Sequence, residues 1–560
     1  MNETGCRRVI PFDGMITADA YLWSKYRDDI KLQDKLKEIT QNSFDENRGY
    51  YGVVGNECVI KNSKILKDVK IGQKCYIKGA NKLKNLTINS SDEEATQIGE
   101  GVELVNGIIG YGCHIFYGCK AVRFILGDNS NLKYGARLIN SFLGDNSTIS
   151  CCEVLNNLIF PAHEQHHNNS FLIASVVMGQ SNIAAGATIG SNHNSRANDN
   201  EIQAGRGFWP GLRSSVKHSC RFASFVLLSK ADYPAELDIP LPFSLLNNNE
   251  SKNQLEIMPA FWWLYNMYAL ARNSWKFINR DKRINKIQHI EFDHLAPDTI
   301  EEILNARRLL EIWTAKADLR AKNKLTGKED ESELIKKGRT LLAGKEESLS
   351  KLEILGEQME KSNRKAAIIK AHKAYHAYED MMHFYAVKNI IDYMTVNKND
   401  TFETAAKAMA GKRETKWNNI GGQLVPEKDV DKLRADIGSG KLNTWNKIHE
   451  RYDHLWKKYP IEKQKHAYAI LCHLYDTEYP DTKLWRQALD KAVNIQEFIR
   501  DQVYISRKKD YDNHFRRATF RNEEEMIAAI GTIDDNSFIK QVNEETKAFT
   551  TLVSKIKKRS

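Results

Sequence analysis

Leu126-Gly127-Asp128-Asn129-Ser130 and Leu143-Gly144-Asp145-Asn146-Ser147 are one pentapeptide written twice, seventeen residues apart. The same step connects Ile109, Leu126, Leu143, Phe160 and Val177. Positions six apart add two further columns: Ile115, Leu132, Ile149, His166 and Ile183, then Ala121, Leu138, Leu155, Leu172 and Ile189. Three mostly apolar positions per unit predict a three-sided coil whose sides are short strands, stacked in parallel on the next coil. Upstream, Val53, Val59, Ile65, Ile71, Ile77 and Leu83 keep the six-residue step. The pattern predicts a prism over residues 51–230. About ten coils at ~4.8 Å per strand give a column roughly 50 Å long.

Units of the form aliphatic-Gly-x-x-small-x recur at Ile71-Gly72-Gln73-Lys74-Cys75-Tyr76, at Leu143-Gly144-Asp145-Asn146-Ser147-Thr148 and, in part, at Ile189-Gly190-Ser191-Asn192. They resemble the left-handed parallel β-helix of the hexapeptide-repeat, acyltransferase-like superfamily. The left hand is what the resemblance implies, because the general rule for parallel crossovers is right-handed. That fold hosts acyltransferases, metal-dependent hydratases of the γ-carbonic anhydrase kind and appendages of sugar-nucleotide enzymes, and it does not choose among them. The whole chain is also similar to a bacterial family of β-helix proteins with a helical C-terminal domain, a resemblance that implies no activity.

The chain has 560 residues, a formal net charge of +10 and a mean hydropathy of −0.54. Residues 1–245 carry 26 Lys and Arg against 25 Asp and Glu, and the remainder 56 against 47. The excess is scattered among acidic residues, which predicts a solvated helical surface. A nucleic-acid partner is not expected, since it would need a concentrated basic stripe. No apolar run reaches the ~20 residues of a membrane span, so no membrane partner is expected. Met1-Asn2-Glu3-Thr4-Gly5 shows no signal-peptide pattern. Eight of nine cysteines precede residue 221 and none forms a C-x-x-C pair, the pattern of packed thiols in a reducing cytoplasm. The glycines form neither a P-loop nor a dinucleotide fingerprint, which argues against an ATPase or dehydrogenase.

Four segments are expected. Residues 1–50, with a helix-like stretch over Ala18–Ile39, form a helical cap on the first coil, whose strand edges need cover. Residues 51–230 form the β-helix, and residues 231–259, with Pro234, Pro240, Pro242, Pro259 and a loop at 247–251, form a linker. Residues 260–560 form an α-helical domain, with helices over Ala260–Asn279, Asp298–Lys322, Ile335–Asn397, Asp429–Lys457, Ile461–Tyr475 and Lys483–Ser506. The fold class is thus a mainly β N-terminal half followed by an all-α C-terminal domain.

One coil departs from the others: Phe160-Pro161-Ala162-His163-Glu164-Gln165-His166-His167-Asn168-Asn169-Ser170. Measured by seventeen, His166 falls in the aliphatic column. Glu164 falls in the small column of Cys113, Ser130, Ser147 and Ser181, and Asn169 in the turn column of Gly118, Gly135, Cys152 and Gly186. One coil later the column Ile125, Phe142, Ile159, Val176 reaches His193. Burying such groups costs several kcal/mol unless they pair. A His held by a Glu is oriented and made more basic, which suits proton abstraction. Alternatively, Pro161 and the two asparagines let the coil bulge into water. The acyltransferase resemblance implies His166 as base, His193 as second choice, Glu164 as the orienting group and N–H groups near Gly190 for the oxyanion. An acyl-thioester donor would lie between adjacent β-helices. Arg206, Asn169 and Trp209 are candidate substrate contacts.

The γ-carbonic anhydrase resemblance implies a divalent metal held by three histidines. His163, His166, His167 and His193 supply the imidazoles. His163 to His167 formally reads H-E-x-x-H, a motif that works only on a helix. A second constellation, His372, His376, Glu379 and His383, falls on one face of a predicted helix. It either shares a metal or packs as a polar face. The expected function is acyl transfer to a sugar or nucleotide-sugar acceptor. The alternatives are a metal-dependent hydratase or hydrolase and a non-catalytic assembly module. A small-molecule substrate and a homo-oligomer are the expected partners; the cofactor, acyl-thioester or metal, stays open.

Overall fold

Parallel pairing stacks Val54, Ile71, Ile88, Ile109, Leu126, Leu143, Ile159, Val177, Ala204, Phe222 and Ile239 into one column. A second runs Ile60, Ile77, Ile98, Ile115, Leu132, Ile149. A third runs Leu66, Leu83, Leu104, Ala121, Leu138, Val154, Leu172, Ile189, Val216, Tyr233. The computed structural model of the chain, which describes residues 7–44, 52–190 and 200–559, is therefore a parallel β-solenoid followed by a mostly helical region. The ten steps of the first column, at ~4.8 Å each, span about 48 Å. Nearly all of these side chains are fully buried, so the columns are the core. Among the described residues no helix is long and apolar enough to cross a membrane.

Three boundaries differ from expectation. Val54, Ile60 and Leu66, not Val53, Val59 and Ile65, stack on the second coil, because the first coil has seventeen residues rather than eighteen. The prism also runs past residue 230: Leu227–Leu228 pairs in parallel with Leu245–Leu246, and Arg221–Phe222 with Asp238–Ile239. The expected loop at 247–251 is part of a hairpin, Leu245–Asn249 against Gln254–Met258. Lys365–Ile368 extends the same sheet in parallel from within the helical region. The stretch expected as a linker is thus the seam of the two halves.

The N-terminal helices do not cap the first coil. Thr17–Lys25 packs against the prism flank at Arg137–Leu143 and Leu158–Ile159, while Ile30–Ser43 packs on Glu427–Gly438. The outward column of Ile125, Phe142, Leu158 and Val176 is a continuous apolar surface. Tyr21, Trp23, Leu32 and Leu36 join it in one cluster with Trp445. Val54, at 56% exposure, is left open at the prism end.

The helical region holds Met267–Arg280, Pro297–Ala321, Glu331–Ala343, Ala371–Val396, Trp445–Leu474, Thr482–Asp512 and Ser537–Lys557 as its longer helices. The helix expected over Asp429–Lys457 breaks at residues 439–444, and its second part runs through Pro460 into the helix expected from Ile461, as Trp445–Leu474. The segment expected over Ile335–Asn397 is broken by the strand Lys365–Ile368, and a hairpin forms at Trp417–Pro426, within a region that is mostly helical as expected.

The repeated pentapeptide has a definite task. The Asp145 carboxylate accepts the Asp128 N–H at 3.1 Å, and the Asp128 carboxylate accepts the Tyr111 N–H at 2.8 Å. Arg283 then donates to Asp145 at 2.7 Å, to the Gln288 carbonyl at 2.7 Å and to Asp281 at 2.8 Å. The aspartates tie coil to coil and the prism to the chain that follows it.

Candidate functional site

Register decides which polar groups enter the prism. Leu143 pairs with Ile159 and Ile149 with Gln165, so this coil has sixteen residues. Glu153 pairs with Phe171 and Ile159 with Val177, so the next has eighteen. The deletion falls at the Cys151-Cys152 turn, the insertion between Gln165 and Phe171. The two cancel, and Leu138 and Leu172 are again two regular coils apart. The expected placement of His166 and Glu164 in interior columns is therefore off by one. Gln165 follows Ile149, and His163 follows Ser147, whose hydroxyl accepts the His163 N–H at 3.1 Å.

His163 and Gln165 are both fully buried. His163 Nδ1 lies 2.8 Å from Ser181 Oγ, and Nε2 lies 3.2 Å from Gln165 Oε1. Gln165 donates to Ser170 Oγ at 3.0 Å, and Ser170 donates to the His167 carbonyl at 3.3 Å. Oε1 can only accept, so Nε2 carries the proton and Nδ1 accepts from Ser181. Burial pushes His163 down to about 4, in keeping with a neutral ring. Both ring nitrogens are engaged, so neither can bind a metal or accept a substrate proton without breaking this chain.

Glu164 and His166 face outward. Glu164 lies 3.3 Å from His166 Nδ1 and 3.3 Å from Lys276 Nζ, which projects from the helix Met267–Arg280. Burial pushes the half-exposed His166 below its ordinary value, and the Glu164 charge pulls the other way. The His167 ring lies 4.3 Å from that of His166. Asn169 is exposed in a left-handed turn at φ 58°. His193 lies outside the described residues.

The other candidates are separately engaged. Arg206 is buried and clamps Asp298 with two N–H groups at 2.9 and 2.8 Å and the Asp293 carbonyl at 2.9 Å. It joins the prism to the segment entering Pro297–Ala321, which explains its burial without a substrate phosphate. Half-buried Trp209 forms a rung beside Leu227, its ring 5.5 Å from that of Trp262.

On Ala371–Val396, His372 and His376 bond the carbonyls of Gly344 at 2.8 Å and Leu342 at 3.1 Å. Glu379 pairs with Arg307 and Lys491, each at 3.2 Å. His383, buried and pushed down to about 3 by that burial, meets Tyr475 at 3.1 Å. The shared face is real, but its members bond to different neighbours. Among the described residues no three His, Cys, Asp or Glu side chains converge on a point that could hold a metal.

A feature that the apolar columns did not reveal lies on another face. A groove of about 980 Å³ runs along the prism between the segment Arg7–Pro11 and a corner of the coils. Its floor is the outward column Thr87, Ile108, Ile125 and Phe142. Its edge is the column Asn85, Asn106, Arg123, Asn140 and Asn156, all left-handed, with φ between 49° and 58°. Asparagine tolerates that conformation, which lets each coil turn its corner. Asn85 donates to Asn106 at 2.9 Å, Arg123 Nε to Asn140 at 2.6 Å, and Asn140 to Asn156 at 2.9 Å. The floor belongs to the sixteen-stranded sheet and Glu164 to the seven-stranded one, so groove and Glu164–His166 pair occupy different faces. The asparagines recur at the spacing that revealed the coils, and a search for polar as well as apolar columns would have found them.

Fold and sites together define the class: a parallel β-solenoid with a grooved face, locked to a mostly helical region. The chain belongs to the family described as a domain of unknown function, DUF4954, whose model matches residues 1–313. A second domain of unknown function, DUF6819, matches residues 397–560. A protein of Treponema pallidum (strain Nichols), described as an uncharacterized protein, is 50% identical over 562 residues, covering 99% of this chain and 75% of that protein.

Proposed function

We propose that the chain is a binding protein whose prism groove takes an extended ligand. The groove itself carries the reading: about 980 Å³, an apolar floor and a continuous polar edge. Ligand sites combine apolar lining with a few directed polar groups in this way. The floor column runs from Lys70 to Leu158 in five steps, about 24 Å at ~4.8 Å each; Lys70, Thr87 and Ile108 are its open part, and Ile125, Phe142 and Leu158 are covered by the N-terminal cluster, so a ligand enters along the early coils. Calorimetry of the full chain against oligosaccharides, peptides and long-chain fatty acids tests the proposal. A ligand should bind the wild type and lose at least tenfold affinity in Ile108→Trp, which fills the floor. Equal affinity in that variant, or no ligand at all, counts against the groove.

A second reading, acyl transfer in the manner of hexapeptide-repeat enzymes, is favoured by the Glu164–His166 pair. A half-exposed imidazole held at 3.3 Å by a carboxylate is placed to accept a proton from an acceptor hydroxyl. On this reading an acyl-thioester is turned over, and His166→Ala and Glu164→Gln each slow turnover at least a hundredfold, whereas Thr87→Trp does not. Turnover unchanged in His166→Ala removes this reading and leaves the groove untouched.

A further inference from the structure

The corner column has an interruption in its hydrogen bonding. Each asparagine can donate through Nδ2 and accept through Oδ1, and Asn85 to Asn106 and Asn140 to Asn156 do so from coil to coil. Between Asn106 and Asn140 stands Arg123, whose side chain can only donate. Its Nε is used on Asn140, in the direction away from Asn106. Asn106 and Arg123 are neighbours in the corner column, both exposed, and among the described residues no hydrogen bond to another side chain engages the Asn106 Nδ2 group or the terminal nitrogens of Arg123. Arg8, exposed on the opposite wall, adds a second cation. Two sets of donors on neighbouring rungs, one of them charged, are suited to an oxyanion.

The rest of the groove narrows the ligand class. Its strands pair on both sides, Thr87 lying between Lys70 and Ile108 and Ile125 between Ile108 and Phe142. Within the floor from Thr87 to Phe142 no strand edge is offered, so a peptide lying along it crosses the strands instead of adding to the sheet; the sheet's outer edge lies only at the groove's end, at Val53–Val54. A hydrocarbon chain would make no use of the polar edge. A sugar chain matches both sides of the groove, because hydroxyls donate and accept along one edge while the C–H faces of the rings rest on the open part of the floor at Thr87 and Ile108. Resting on the groove reading above, we infer that the ligand is an acidic oligosaccharide, with a carboxylate or sulfate seated between Asn106 and Arg123.

The test uses the full chain, with tetragalacturonate, its methyl ester and a sulfated heparin tetrasaccharide as probes. The variant Arg123→Asn continues the asparagine column and removes the guanidinium without disturbing the corner. Isothermal titration should show one of the acidic probes binding the wild type and, for the uronate, a preference of about tenfold or more over the ester. If only the sulfated probe binds, its affinity should fall by about tenfold in Arg123→Asn. For the uronate, the preference should shrink towards unity in that variant, and raised salt should weaken the acidic ligand alone. Equal binding of acid and ester, or no effect of Arg123→Asn, overturns the inference. If both then fail to bind Ile108→Trp, the groove reading survives that loss. If an acidic probe binds Ile108→Trp as well as wild type, the groove reading falls too. Failure of both acidic probes to bind the wild type, or tighter binding of polyglutamate or palmitate, also overturns it.

Discussion

His163 is a histidine whose chemistry is already committed, and its cost to the protein is a sensitivity to acid. Unfolded, it titrates near its ordinary value of 6.5; folded, burial holds it at about 4. Between those values the unfolded chain binds the extra proton, so stability rises with pH through the window and is lost as pH falls from 6.5 to 4. The full window is worth about 3 kcal/mol. His294 and His383, held low by burial as well, act in the same direction. Urea unfolding at pH 7 and pH 4.5 should show a smaller acid loss in His163→Gln than in the wild type. Identical losses would mean that this ring does not set the slope. Arg123 makes a different demand. It occupies a left-handed corner at φ 53°, where a side chain without a short polar group is disfavoured by about 1 kcal/mol. Arg123→Asn should therefore raise stability by about that amount, and a lower melting temperature would show that the guanidinium contributes to the fold rather than to a ligand.

At the scale of the coil, the sequence displayed its period plainly but not its local register. Parallel coils repeat the same inward positions, so seventeen-residue columns of Ile and Leu were visible without coordinates. A one-residue deletion at Cys151-Cys152 followed by a one-residue insertion before Phe171 leaves the columns correct on both sides and wrong between them. Glu164 and His166 thus looked interior when His163 and Gln165 are. The strand's alternation makes a slip of one residue exchange inside for outside. The groove was hidden for another reason: its second wall, Arg7–Pro11, comes from far away in sequence. The paired aspartates make a separate prediction. Arg283→Ala strands the buried Asp145 carboxylate and should cost about 3–5 kcal/mol. Asp145→Asn in the same chain should recover part of that loss, because the unpaired charge is gone. Strictly additive losses in a double-mutant cycle by urea unfolding would show that the pair is not coupled.

Over the whole molecule, the prism and the helical region share one core instead of meeting at a flexible joint. A single apolar cluster runs from Val69 and Leu83 in the early coils through Phe208, Phe243 and Trp262 to Met382, Ile470, Trp485 and Ile556. Lys365–Ile368 completes the sheet begun by the prism's last strands, and Arg206 locks on Asp298. Tyr459 and Lys463 reach Glu291 at 2.5 and 2.8 Å, closing the same seam from the helix Trp445–Leu474. Cutting the chain near residue 259 would expose this cluster on both pieces and strip Arg206 of Asp293 and Asp298, its partners across the seam. Calorimetry of the full chain should therefore give one main transition, and the pieces 1–259 and 260–560 should each lack the sharp near-ultraviolet dichroism and cooperative melt of a packed domain. Two separate transitions, or a piece that melts cooperatively within a few degrees of the full chain, would show two independent domains. The groove would then need only the prism, and its ligand affinity would survive the cut.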